Sequence, residues 1–184
     1  MTQCFDLMVD VETVGTRADA AMVSIGAVFF DLPTETIGAR FTKNIHLATA
    51  VRDGGTMDAA TVLWWLKQSD VARGRVFQGG IDIKEVLNDL AIWIGNNCSG
   101  DVRPWGNSAR FDLGILSSAF ERNHTPVPWK WWNERCFRTV RNLNPQVPYK
   151  PDEKGEGAHD PTVDCRFQIE HLFSIKRYRN GDLF

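Results

Sequence analysis

Three strand-like stretches follow one another before any strong helical period appears, and this order restricts the fold more than any other feature of the chain. Phe5–Val11 and Met22–Phe30 are dominated by β-branched and aromatic residues, with a turn region at Gly15–Ala21 between them. A third run, Ile37–Leu47, alternates as a half-buried strand does. Parallel α/β folds place a crossover after each strand, so three strands in a row predict an antiparallel meander.

Helices are expected next. Thr56 or Asp58 can cap one running to about Gln68, and Asp82 precedes a stretch in which Ile83, Val86, Leu87, Leu90 and Ile94 recur at helical spacing. Val102–Asn107 reads as a short strand, Phe111–Arg122 as a helix, Pro128–Trp132 as a last strand and Phe137–Leu143 as a short helix. The segment Pro145–Gly157 is rich in Pro, Gly and charge and is expected to be a mobile loop. Pro161 suits the first turn of a C-terminal helix reaching about Arg177, with Ile169, His171, Leu172 and Phe173 facing inward. The 184 residues are 43% hydrophobic and 24% charged, which predicts a single α/β domain over residues 1–184.

A formal net charge of −2 argues against a protein that coats nucleic acid through general electrostatics, because neutralising phosphates needs clustered Lys and Arg. Any nucleic-acid binding must therefore be local. Asp6 and Asp10 interrupt the apolar run that a signal peptide would need, and no stretch has membrane-spanning length, so a cytoplasmic protein is expected. The four cysteines, Cys4, Cys98, Cys136 and Cys165, lack CxxC pairing and are expected to be small core residues rather than zinc ligands or disulfides.

Three segments place acids where acids are costly. Asp10 and Glu12 lie two apart at the end of the first strand, so both carboxylates face one side. Side by side they repel unless a cation lies between them; the alternative is a solvated strand end. Asp112 shares a helix face with Ile115, Leu116, Ala119 and Phe120, although an acid near a helix N-terminus also gains about 0.3–1 kcal/mol from the helix dipole. Asp164 lies in line with Gln168, Leu172 and Ile175, and His159 immediately precedes that helix. Here the alternative is a capping Asp160 with an incidental loop histidine.

Taken together, these segments resemble the DEDDh branch of the DnaQ-like 3′→5′ exonucleases. Asp10-Val11-Glu12, continued by Thr13 and Gly15, matches the DxE motif, the Asn107 to Phe111-Asp112 segment the second, and His159 with Asp164 the third. The WGN…FD and TVLWWLKQS segments are most similar to the group of RNase AS, the phage exonuclease DexA and the nuclease domain of exodeoxyribonuclease VIII. Pro161 stands where many relatives have alanine. The resemblance implies an RNase H-like fold, with a mixed five-stranded sheet flanked by helices, and two divalent cations, Mg²⁺ or Mn²⁺. It implies that Asp10 bridges both ions, that Glu12 and Asp164 complete the site that activates water, that Asp112 helps hold the leaving-group ion, and that His159 is the general base. The product would be a nucleoside 5′-monophosphate released from a single-stranded RNA or DNA 3′ end.

Trp64 and Trp65 are consecutive on a helix, about 100° apart, so both cannot point to the centre of one core face. One is then left to stack on a terminal base, although tryptophans at helical spacing also serve to pack a core. Trp105, Trp129, Trp131 and Trp132 are expected to be structural or interfacial, and Lys176, Arg177 and Arg179 to be a solvated helix end. Family members of this size are often homodimers, which the Trp content would accommodate. The rival readings are a non-catalytic nucleic-acid- or partner-binding domain of the same fold, and an endonuclease or transferase of RNase H-like fold.

Overall fold

The computed structural model describes residues 5–151, 159–181 and 183. Strands β1 (Asp6–Thr13), β2 (Met22–Asp31) and β3 (Thr36–Asn44) form the expected antiparallel meander. Helices α1 (Leu47–Arg52), α2 (Ala59–Leu66), α3 (Asp70–Phe77) and α4 (Ile83–Asn97) follow. β4 (Arg103–Gly106) then joins β1 in parallel, and a π-helical turn, Ala109–Leu113, leads into α5 (Gly114–Arg122). After it come β5 (Arg135–Cys136), parallel to β4, and helices α6 (Phe137–Leu143) and α7 (Pro161–Tyr178). The result is a mixed five-stranded sheet of order β3-β2-β1-β4-β5.

The period of two along β1 divides the interior between the two faces of the sheet. Leu7, Val9 and Val11 enter a core completed by α4 and α5 residues such as Leu87 and Phe120. Met8 points the other way, into a second core with Phe137 of α6 and Ile169 and Leu172 of α7. Asp10 and Glu12 continue the Met8 face, so the acids emerge where that second core ends. β2 is buried along its whole length, whereas β3 is not the half-buried strand its alternation suggested: Phe41 is its one buried residue.

Several boundaries differ from expectation for local reasons. Asp58, not Thr56, caps α2 by accepting the Thr61 N–H, while Thr56 bridges to Ala20. The last strand is not at Pro128–Trp132, where Trp131–Asn133 instead winds into a 3₁₀ turn; pairing with β4 comes later, through Arg135 and Cys136. α1 is short, and α3, with Gly74 inside and little apolar face, carries no period to read. The inward face of α7 is as expected: Gln168, Ile169, His171, Leu172, Phe173 and Ile175 are all buried. Its basic end is not simply solvated, since Lys176 and Arg177 both pair with Glu35 in the β2–β3 turn.

Cys98 and Cys165 are buried, Cys136 is half-buried, and all three are free; Cys4 lies outside the described residues. So do residues 152–158, which include most of the charged part of the loop expected to be mobile. No described helix is long and apolar enough to cross a membrane.

Candidate active site

β1 positions the first two acids, and Gly26 of β2 determines what approaches them. Gly26 pairs with Asp10 in the β1–β2 ladder. A Cβ at that position would lie 2.5 Å from the Pro161 carbonyl carbon and 2.7 Å from the Thr162 nitrogen. Absence of a side chain therefore lets the start of α7 rest directly on the sheet. Asp160 fixes that start, its carboxylate accepting from the Thr162 and Val163 N–H groups with Pro161 in the first turn. One turn further on, Asp164 meets the first strand: single ligand oxygens of Asp10, Glu12 and Asp164 lie within 4.8 Å of one another.

Asp112 comes to the same place by a different route. The π-helical turn carries it inward from the end of β4, and its Oδ2 accepts the Ser108 N–H at 2.9 Å. Such turns inside helices are frequent at functional sites because they redirect a side chain. Gly106 makes room for it, since a Cβ there would lie 2.9 Å from the Cβ of Asp112. The helix expected from Phe111 thus begins in a turn of different pitch, and Asp112 is buried rather than lodged at a solvated N-terminus.

The electrostatics are dominated by burial of the acids and, at Asp10, by their mutual repulsion. Burial first, then repulsion from Asp112, Glu12 and Asp164, pushes the Asp10 carboxyl well above the usual carboxylate range. The Gln168 amide opposes this, its Nε2 lying 3.4 Å from Asp10 Oδ1. Burial raises Asp112 to about 6 despite the hydrogen bonds it accepts from the backbone. Glu12 is also raised by burial, with the neighbouring His159 pulling the other way.

His159 Nδ1 lies 3.6 Å from Glu12 Oε1. That carboxylate raises the imidazole above its ordinary value, against the opposing effect of burial. The backbone at His159 is left-handed, with φ of 60°. Its ring meets those of Trp64 and Trp65 edge to face, at centroid distances of 5.1 and 5.4 Å. The two tryptophans differ as their spacing requires: Trp65 is 3% exposed and donates its indole N–H to the Thr13 carbonyl at 2.8 Å, while Trp64 is 43% exposed. Trp105 and Trp129 are buried, and Trp131 and Trp132 are exposed at 76% and 62%.

All four expected acids line one open cleft of about 830 Å³. His159, Trp64 and Trp65 do not line it; they adjoin it through Glu12. The same cleft is also lined by Arg138, Arg141 and Tyr149, none of which the sequence pointed to. Two arginines at i and i+3 on a short helix read as a solvated face, and only the pairing of β5 with β4 turns that face towards the acids.

Comparison with known proteins bears on the fold and the family. The exodeoxyribonuclease of Enterobacteria phage T4 is 24% identical over 208 residues, covering 96% of this chain and 91% of the phage protein. Escherichia coli exonuclease I in complex with a dT13 oligonucleotide superposes with a TM-score of 0.68 at 19% identity over 95% of this chain. The zinc-bound exonuclease I–ssDNA complex also gives 0.68, at 17% identity over 100% of the chain. At such identities these two structures speak for the fold, which is RNase H-like, and the chain spans about two fifths of exonuclease I, 41% and 42%. Residues 5–175, most of the chain, match the family model described as the 3′-5′ exoribonuclease Rv2179c-like domain, and on that coverage the chain belongs to this family of 3′-5′ exonucleases.

Proposed function

We propose that this chain, as a single domain, releases nucleoside 5′-monophosphates from a single-stranded RNA or DNA 3′ end by a DEDDh-type mechanism. Asp10, Glu12, Asp112 and Asp164 would hold two divalent cations, Mg²⁺ or Mn²⁺. The observation that carries this reading is the convergence of Asp10, Glu12 and Asp164, ligand oxygens within 4.8 Å, in the cleft that Asp112 also lines. Acids so placed are costly unless a cation joins them: burial raises the Asp10, Glu12 and Asp112 carboxyls, and at Asp10 repulsion from Asp112, Glu12 and Asp164 adds to it. The donor set fits a hard cation, being all carboxylate, with no thiol or imidazole among the three convergent ligands. When bound, such cations neutralise the acids and stabilise the attacking and leaving oxygens of an in-line displacement.

Each remaining task falls to a residue on the rim. The Gln168 amide orients Asp10, and the Ser108 N–H orients Asp112. His159 turns Nδ1 to Glu12, which leaves Nε2 as the nitrogen to accept a proton from the attacking water as general base. The exposed Trp64 offers a face for the terminal base, and buried Trp65 supports both Trp64 and His159. The relatives' names span both sugars, an exoribonuclease family and an exodeoxyribonuclease, and a free single-stranded 3′ end is the substrate we assign. Calorimetric titration of Mg²⁺ and Mn²⁺ into wild type and Asp10→Ala tests the reading. Wild type should bind and the variant should lose most of that binding; a wild type that binds neither ion would favour the non-catalytic alternative.

A further inference from the structure

With a net charge of −2, the chain must grip nucleic acid through a few well-placed cations. α6 supplies two on one face, Arg138 and Arg141, and both line the cleft with the four acids. Neither is ion-paired to a carboxylate or donates a side-chain hydrogen bond to another described residue. They are therefore not consumed in balancing the acids, although Arg138 is near enough to favour ionised Asp112. Arg141 lies over an aromatic ring: its guanidinium carbon is 5.5 Å from the centre of the Tyr149 ring. A cation–π contact of this kind uses none of the guanidinium N–H donors, which remain available to an anion.

The two ends of the site differ in chemistry. His159 and the Trp64 ring adjoin Glu12, whereas the Arg138 charge acts on Asp112. If the terminal base meets Trp64 and the scissile phosphate meets the acids, the strand must leave past α6. We propose that Arg138 and Arg141 form a subsite for the phosphodiester on the 5′ side of the scissile bond, an inference that rests on the exonuclease reading above. Guanidinium groups suit this task because their N–H fork matches two phosphate oxygens. The enzyme then prefers substrates carrying at least two phosphodiesters.

The test compares kcat/KM on a trinucleotide, which carries that second phosphodiester, with kcat/KM on a dinucleotide, which does not. Arg138→Ala and Arg141→Ala should each reduce the trinucleotide-to-dinucleotide ratio by about tenfold, the weight of a charge-assisted hydrogen bond. In parallel, salt titrations of oligonucleotide binding in EDTA should show the slope of log K against log salt falling by about 0.7 for each phosphate contact removed. Should Arg141→Ala misfold, Arg141→Gln keeps part of the stem over Tyr149 and serves the same comparison. An unchanged ratio with an unchanged salt slope would overturn the subsite, as would equal loss on both substrates, which would place the arginines at the scissile phosphate or in the fold. A wild type that cleaves neither substrate would instead overturn the exonuclease reading, with the salt slope still deciding whether the arginines bind phosphate.

Discussion

Gly26 and Pro161 touch backbone to backbone: a Cβ on the glycine would stand 2.5 Å from the proline carbonyl carbon. Because Gly26 pairs with Asp10 and Pro161 begins the helix that carries Asp164, this contact determines how closely the acids meet. Gly26→Ala should therefore cost about 1–3 kcal/mol of stability, as other overpacking changes do, and weaken divalent-cation binding by moving Asp164 away. Thermal melts with and without Mg²⁺ check both effects. Stability lost with cation affinity unchanged would show that the acids tolerate a displaced α7.

Trp64→Ala and Trp65→Ala should separate cleanly. Trp65 is buried and hydrogen-bonded to Thr13, so its truncation should cost about 3–5 kcal/mol. Trp64, 43% exposed, should cost less and instead raise KM, since stacking on one base contributes roughly 1–3 kcal/mol. Melts measured beside kinetics decide; equal melting losses with unchanged KM would remove Trp64 from the substrate site.

The acids should also govern how metal-free stability depends on pH. Asp10, Glu12 and Asp112 have folded carboxyls raised above their unfolded values, so their contribution is fully present below about pH 4 and is lost as pH rises, for Asp112 through about 6. Asp112→Asn retains an acceptor for Ser108 but cannot ionise. In EDTA its stability relative to wild type should therefore increase between about pH 4 and 7, and Mg²⁺ or Mn²⁺ should raise the wild-type melting temperature at neutral pH. A difference flat across that range would mean Asp112 is not held under electrostatic strain.

His159→Ala should lose about 10²–10⁴ in kcat, the usual contribution of a positioned general base. Its affinity for divalent cations should change little, because the three convergent ligands are carboxylates. Asp164→Ala should lose both activity and cation binding. Calorimetry beside single-turnover rates separates the two, and a His159 variant that no longer binds cations would make the residue a ligand instead of a base.

The acids were legible in the sequence because each violates a local pattern. Asp10 and Glu12 continue the inward face of a strand, while Asp112 and Asp164 sit on apolar helix faces, and burial of an acid is costly enough to mark such positions. Consecutive helix positions likewise showed that Trp64 and Trp65 could not share one environment. What was not legible depends on pairing between distant segments. Gly26 has its role only because α7 crosses β2, and Arg138 and Arg141 face the acids only because two residues, Arg135 and Cys136, pair with β4. The strand at Arg135 was itself concealed, because the apolar tryptophans just before it mimic strand composition while winding into a 3₁₀ turn.

The most direct test of the assigned activity is end polarity. A 5′-labelled single-stranded oligonucleotide, offered as RNA and as DNA with Mg²⁺ or Mn²⁺, should be shortened stepwise from its 3′ end to give nucleoside 5′-monophosphates. Excess EDTA, Asp10→Ala or a blocked 3′ hydroxyl should each stop the reaction. A product ladder indifferent to the 3′ block, or one that persists in Asp10→Ala, would contradict a 3′–5′ exonuclease built on these four acids.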